Sequence, residues 1–185
     1  MFSLTVPKFD LILDKLKGGI PAITSDFVGT LAEAGAVCFE SANHQSGVEL
    51  DVIITKNEII ELKCNVYWQD VTDQMRRCYG DLEVTTEHGA YGVAILLILS
   101  LTDYTVVERS RKGTGFDYWL ARKNDILFQK SARLEVSGIL KGDTNTIKAR
   151  VNTKLNQVKR SDNLRLPVYI VVVEFSNPLS QVVQE

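Results

Sequence analysis

Between Val48 and Val66 apolar and polar positions alternate with a period of two. Val48, Leu50, Val52 and Ile54 fall on one face, and Ile60, Leu62, Cys64 and Val66 repeat the pattern after the turn "TKNE". This predicts a β-hairpin. Upstream, Thr24, Ser25 and Asp26 supply a cap, and Phe27, Leu31, Ala34 and Cys38 recur at helical spacing, predicting a helix from Ser25 to about Ser41. The segment before it is short and mixed, with breaks expected at Pro7 and at Gly18 and Gly19. A longer stripe, Val71, Met75, Tyr79, Leu82, Ala90, Val93 and Leu97, predicts one helix from Val71 to about Ser100. Its last two turns, "VAILLIL", are apolar nearly all round and belong in a core.

After a break at Thr102 and Asp103 come three strand-like pieces, "YTVVERS", "FDYWLAR" and "ARLEVSGIL", joined by the turn "RKGTG" and the loop "KNDILFQK". A second helix is expected from about Asn145 to Lys159, with Ile147, Val151, Leu155 and Val158 as its apolar stripe. Pro167 precedes "VYIVVVEF", apolar throughout like a strand buried on both faces. The tail after Asn177 reads as exposed. From Val71 onward the order is helix, three strands, helix, strand. Short connections make the three strands an antiparallel meander, and the helical crossover returns the last strand to the interior of a mixed sheet. The fold class is α/β. A chain of 185 residues suits one domain, 1–185, with a core over 71–175 and the helix and hairpin of 1–70 as an elaboration at an edge.

Composition changes this picture little; the distribution of charge changes it more. Residues 1–100 carry 7 Lys and Arg against 14 Asp and Glu, whereas residues 101–185 carry 14 against 9. The second half is the one suited to a polyanion. Cys38, Cys64 and Cys78 are widely spaced, without a CxxC pair, and read as reduced thiols of a cytoplasmic protein. Two histidines and this cysteine spacing give no zinc site. The longest apolar run, Val93 to Leu99, is too short for a bilayer, so no membrane partner is expected. Serine flanks do not match a nucleophile elbow, and each cysteine falls on an apolar face as a packed thiol does.

Two acids remain to be explained. Side chains alternate along a strand, so Arg133, Glu135 and Ser137 share one face of "ARLEVSG" while Leu134 and Val136 take the other. Asp117 and Trp119 share a face of the strand before it. If the strands pair with Asp117 and Glu135 facing the same way, two carboxylates converge, as a hard cation such as Mg²⁺ requires. The structural alternatives are an ion pair of Glu135 with Arg133, Arg111 or Lys148, and Asp117 as a turn residue accepting backbone N–H bonds.

"GTGFDYWL" followed by "ARLEVSG", in this element order, resembles the PD-(D/E)XK nuclease superfamily over residues 71–175. The resemblance implies a restriction-endonuclease-like mixed sheet and a Mg²⁺-dependent endonuclease, a hydrolase of DNA phosphodiesters. Asp117 and Glu135 would be the metal-binding pair, and Glu83 or Glu87 the acid that many members place on the first helix. The motif lysine is replaced here by Ser137, so Lys130 at the strand entrance and Lys148 on the next helix are the candidate substitutes.

Basic residues support a nucleic-acid partner, with Arg111, Lys112, Lys148, Arg150 and Lys154 placed to hold phosphates. The alternative is a catalytically silent protein on the same scaffold, its acidic hairpin (Glu49, Asp51, Glu58, Glu61) facing a partner subunit or a second copy of the chain.

Overall fold

The computed structural model describes residues 8–17 and 19–185. The breaks expected at Pro7 and Gly18 lie outside the described residues. Eight strands form one mixed sheet in the order β1-β3-β2-β8-β7-β6-β5-β4. They are β1 (Lys8–Ile12), β2 (Val48–Thr55), β3 (Ile59–Tyr67), β4 (Tyr104–Arg109), β5 (Tyr118–Arg122), β6 (Ala132–Ile139), β7 (Val168–Glu174) and β8 (Leu179–Gln184). Four helices accompany them: α1 (Ser25–Ser41), α2 (Asp73–Cys78), α3 (Leu82–Leu101) and α4 (Thr144–Val158). The architecture is mixed α/β.

The hairpin β2–β3 forms as the alternation requires, pairing antiparallel from Val48↔Val66 to Thr55↔Ile59. β4, β5 and β6 make the expected antiparallel meander, and α4 carries the chain across so that β7 runs parallel to β6. Two expectations are corrected. The long helix is two helices, because Gly80 interrupts it and Asp81 caps a new one, accepting from the backbone N–H groups of Glu83 and Val84. The tail is not exposed. Leu179–Gln184 forms β8, antiparallel to β7 and parallel to β2, with Ser180, Val182 and Val183 buried. This strand joins the hairpin to the meander as one sheet.

The centre of the sheet is covered on both faces. Leu134 and Val136 of β6, and Tyr169, Val171 and Val173 of β7, pack toward α1 and α3. Ile139, Ile170 and Val172 pack toward Ile147, Val151 and Val158 of α4. By length and composition α3 could cross a bilayer, yet it sits in the core, and its glycines let α1 approach. A Cβ on Gly89 would lie 3.0 Å from the Cα of Gly35, so this crossing needs a hydrogen at position 89. Because Leu134 and Val136 take the α3 face, Arg133, Glu135 and Ser137 must project toward α4. The pleat therefore aims a carboxylate into the space between β6 and α4.

Candidate active site

β5 begins at Tyr118 and pairs with β6 through Tyr118↔Leu134, whereas β6 continues to Ile139. Beyond this point the β5 side of β6 has no strand beside it. A cavity of about 740 Å³ occupies the gap, between the N-terminal half of α3 and the flank of α4. Asp117 stands at its inner end. Its backbone N–H donates to Leu134 O and its carbonyl accepts from Ser110 N, which ties the residue between β4 and β6. Its carboxylate accepts from Val136 N at 2.8 Å and from the Tyr91 hydroxyl at 3.0 Å. The turn-residue alternative thus describes one of the oxygens of Asp117 and leaves the other facing α3.

Glu135 is 1% exposed at the centre of β6. Its Oε1 accepts from Lys154 Nζ at 2.5 Å and from Gln157 Nε2 at 2.9 Å. Its Oε2 is buried with no donor from another residue against it, and the Asp117 carboxylate lies close enough to share the proton of Glu135. Burial, followed by the neighbouring charge of Asp117, pushes the Glu135 carboxyl up to about 8, against the opposing pull of Lys154. A carboxylate buried without full compensation costs several kcal/mol, on the order of the penalty for one ion. Raised to about 8, Glu135 avoids much of that cost by holding a proton at neutral pH beside a second acid.

The remaining predicted residues sort by geometry. Ser137, at the motif-lysine position, is buried and accepts from Arg150 Nη1 at 2.8 Å. Glu83 and Glu87 both line the cavity. Glu87 alone reaches the acid pair, through Tyr91, whose hydroxyl lies 2.9 Å from Glu87 Oε1. Lys154 and Arg150 line the same cavity, and Arg111 and Lys112 line a neighbouring one.

Neither lysine suggested as a substitute for the motif lysine reaches the site. Lys130 is held by Glu108 at 2.7 Å and lies over the Trp119 ring. Lys148 is exposed and does not line the cavity. Arg150, Lys154 and Gln157 form one flank of α4, and the helical period turns Lys148 to the opposite flank. Lys154 is the lysine that meets Glu135. Arg133 is not the partner of Glu135 either: it donates to Ser161 Oγ, Val158 O and Leu166 O, anchoring the end of α4.

Tyr91 and Gln157 were not among the residues expected from sequence. Tyr91 lies four residues after Glu87 and Gln157 three after Lys154, the spacings that stack side chains on one helix face.

Among the described residues no three His, Cys, Asp or Glu side chains gather into a metal-binding group. Two carboxylates, one with an oxygen that no other residue donates to, still suit magnesium, which keeps several waters and takes one or two carboxylates together with substrate phosphates. Asp117 and Glu135 would hold it. No family model, no curated protein and no solved structure matches the chain.

Proposed function

We propose that the protein is a Mg²⁺-dependent nuclease of restriction-endonuclease-like fold, hydrolysing DNA phosphodiesters. The observation that carries the reading is the buried Glu135 carboxylate, one oxygen held by Lys154 and the other without a donor beside Asp117, opening on a cavity that also holds Arg150. The order α3, β4–β5–β6, α4, β7 is that of the superfamily the sequence resembles, and this supports the same reading.

The bound cation would polarise a phosphodiester oxygen and make a coordinated water acidic. Lys154 favours the ionised form of Glu135, which burial and the charge of Asp117 oppose, and puts a positive charge beside the acid pair. Arg150, braced by Ser137, offers its remaining N–H groups to a phosphate. Tyr91 fixes the orientation of Asp117, and Glu87 fixes Tyr91.

The test is incubation of the protein with supercoiled plasmid and branched DNA in Mg²⁺ and in Mn²⁺, beside Glu135→Ala and Asp117→Ala. Cleavage should need the cation and vanish in both variants. Cleavage that persists in them overturns the reading.

A second reading, a silent nuclease-fold subunit docking another protein, is favoured by one surface feature. Ile126, Leu127 and Phe128 are 88%, 74% and 48% exposed at the tip of the β5–β6 loop. Absence of cleavage with either cation, with DNA binding also absent, would support it.

A further inference from the structure

The turn between β4 and β5 closes over a second cavity, of about 430 Å³. The two cavities share Glu87, Tyr91, Asp117 and Gln157, so they meet at Asp117. The far wall of the smaller one carries Arg109, Arg111 and Lys112 from the turn and Arg160 from just beyond α4. These four cations outnumber the two acids that line the same hollow, Glu87 and Asp117, and repel each other. Some surface cations are answered by acids, among them Lys63 by Glu49 and Asp51, Arg76 by Glu40 and Asp73, and Lys130 by Glu108. Others among the described residues, such as Arg77 and Arg165, are not; what sets the four apart is that they line one hollow. Among the described residues none of these four cations has an ion-pair partner.

The hollow is also pre-formed. Gly115 has φ +89°, and a Cβ there would lie 2.5 Å from the Gln157 carbonyl oxygen, so the turn sits directly on the end of α4. The Arg109 guanidinium lies over the rings of Tyr91 and Tyr118, at 5.5 and 5.7 Å. Gln157 donates through Nε2 to both Gly115 O and Glu135 Oε1, at 3.4 and 2.9 Å. One side chain thus ties the basic turn to the Glu135 carboxylate.

We propose that this hollow is a subsite for a backbone phosphate of a polynucleotide strand, next to the phosphate that lies at the acid pair. A free anion would need only the one hollow. A basic hollow that meets, at Asp117, a cavity carrying Arg150 and Lys154 beside its acids suits a strand that enters beside those two cations and leaves across the turn. That path rests on the nuclease reading of the acid pair; the phosphate subsite itself does not.

The experiment measures binding of a short fluorescein-labelled DNA strand by anisotropy, in EDTA, over a range of salt. The double variant Arg111→Ala/Arg160→Ala alters exposed side chains only. Its Kd should rise about tenfold, and the slope of log K against log salt should fall by about 0.7 for each phosphate no longer neutralised. Lys56→Ala, on the distant hairpin turn, should leave both unchanged. Unchanged binding in the double variant, or an equal effect of Lys56→Ala, overturns the subsite. Loss of inorganic pyrophosphate binding with DNA binding intact identifies a free-anion pocket and overturns the polynucleotide assignment. Wild-type protein that binds in this pattern in EDTA, yet never cleaves when Mg²⁺ or Mn²⁺ is added, removes the nuclease reading and leaves the subsite standing.

Discussion

Lys154 and Glu135 meet at 2.5 Å across the gap between α4 and β6, nineteen residues apart in the chain. Glu135 is buried, and only the flank of α4 supplies it with donors, Lys154 and Gln157. Lys154→Ala should lower the initial rate of plasmid cleavage by about 10²–10³, the usual worth of one preorganised donor to developing charge. It should also destabilise the fold, read by urea denaturation, and more at alkaline than at neutral pH, because Glu135 without its lysine is a stranded charge only once it ionises. A wild-type rate in this variant would remove Lys154 from the mechanism.

The raised Glu135 carboxyl makes stability depend on pH. In the unfolded chain it titrates near the ordinary 4.5, and in the native state near about 8. Between these values the native protein holds a proton that the unfolded chain has lost. Stability from this group is therefore full below the window and falls as pH rises through it, by no more than ~1.4 kcal/mol per pH unit. Thermal denaturation in EDTA should show the fall, and Glu135→Gln should flatten it. Adding Mg²⁺ should shrink it, because a cation beside Glu135 favours the ionised carboxylate.

Glu83 and Glu87 are distinguished by Tyr91. Glu87→Gln and Tyr91→Phe should each reduce kcat, by roughly tenfold for the loss of about 1.4 kcal/mol of transition-state stabilisation. Glu83→Gln should change it little. Equal effects of the two glutamate substitutions would show that both acids act directly in the cavity.

Gly115 combines a positive φ with backbone contact to Gln157. Gly115→Ala should cost about 1–3 kcal/mol, seen as a lower urea midpoint. Since the displaced Gln157 holds Glu135, activity should fall more than stability explains.

The three cysteines should separate by reactivity. Burial pushes the thiols of Cys38 and Cys64 up to about 12, whereas Cys78 is exposed. Iodoacetamide at mildly alkaline pH should add a single adduct by intact mass, and all three should react only in denaturant. Rapid triple labelling of native protein would contradict this core.

Local periodicity determined a good deal of the molecule. Alternation at Val48–Ile54 and Ile60–Val66 defines the hairpin, and the same alternation puts Glu135 on the face opposite Leu134 and Val136. Helix, meander, crossover and central strand follow from the order of such patterns. The single long helix suggested by periodicity is two, because an apolar stripe persists through Tyr79 and Leu82 although Gly80 and Asp81 break the backbone. The tail gives no sign of burial because "LSQVVQ" is short and mixed, and becomes a strand only where β7 and β2 offer hydrogen bonds on both sides. Tertiary structure alone decided which lysine serves the acids. Lys148, Arg150 and Lys154 all lie off the apolar stripe of α4, and only the rotation of that helix against β6 and β7 turns one flank inward. Spacing along a chain sets which residues share a face, whereas the faces that meet are selected by packing between distant elements.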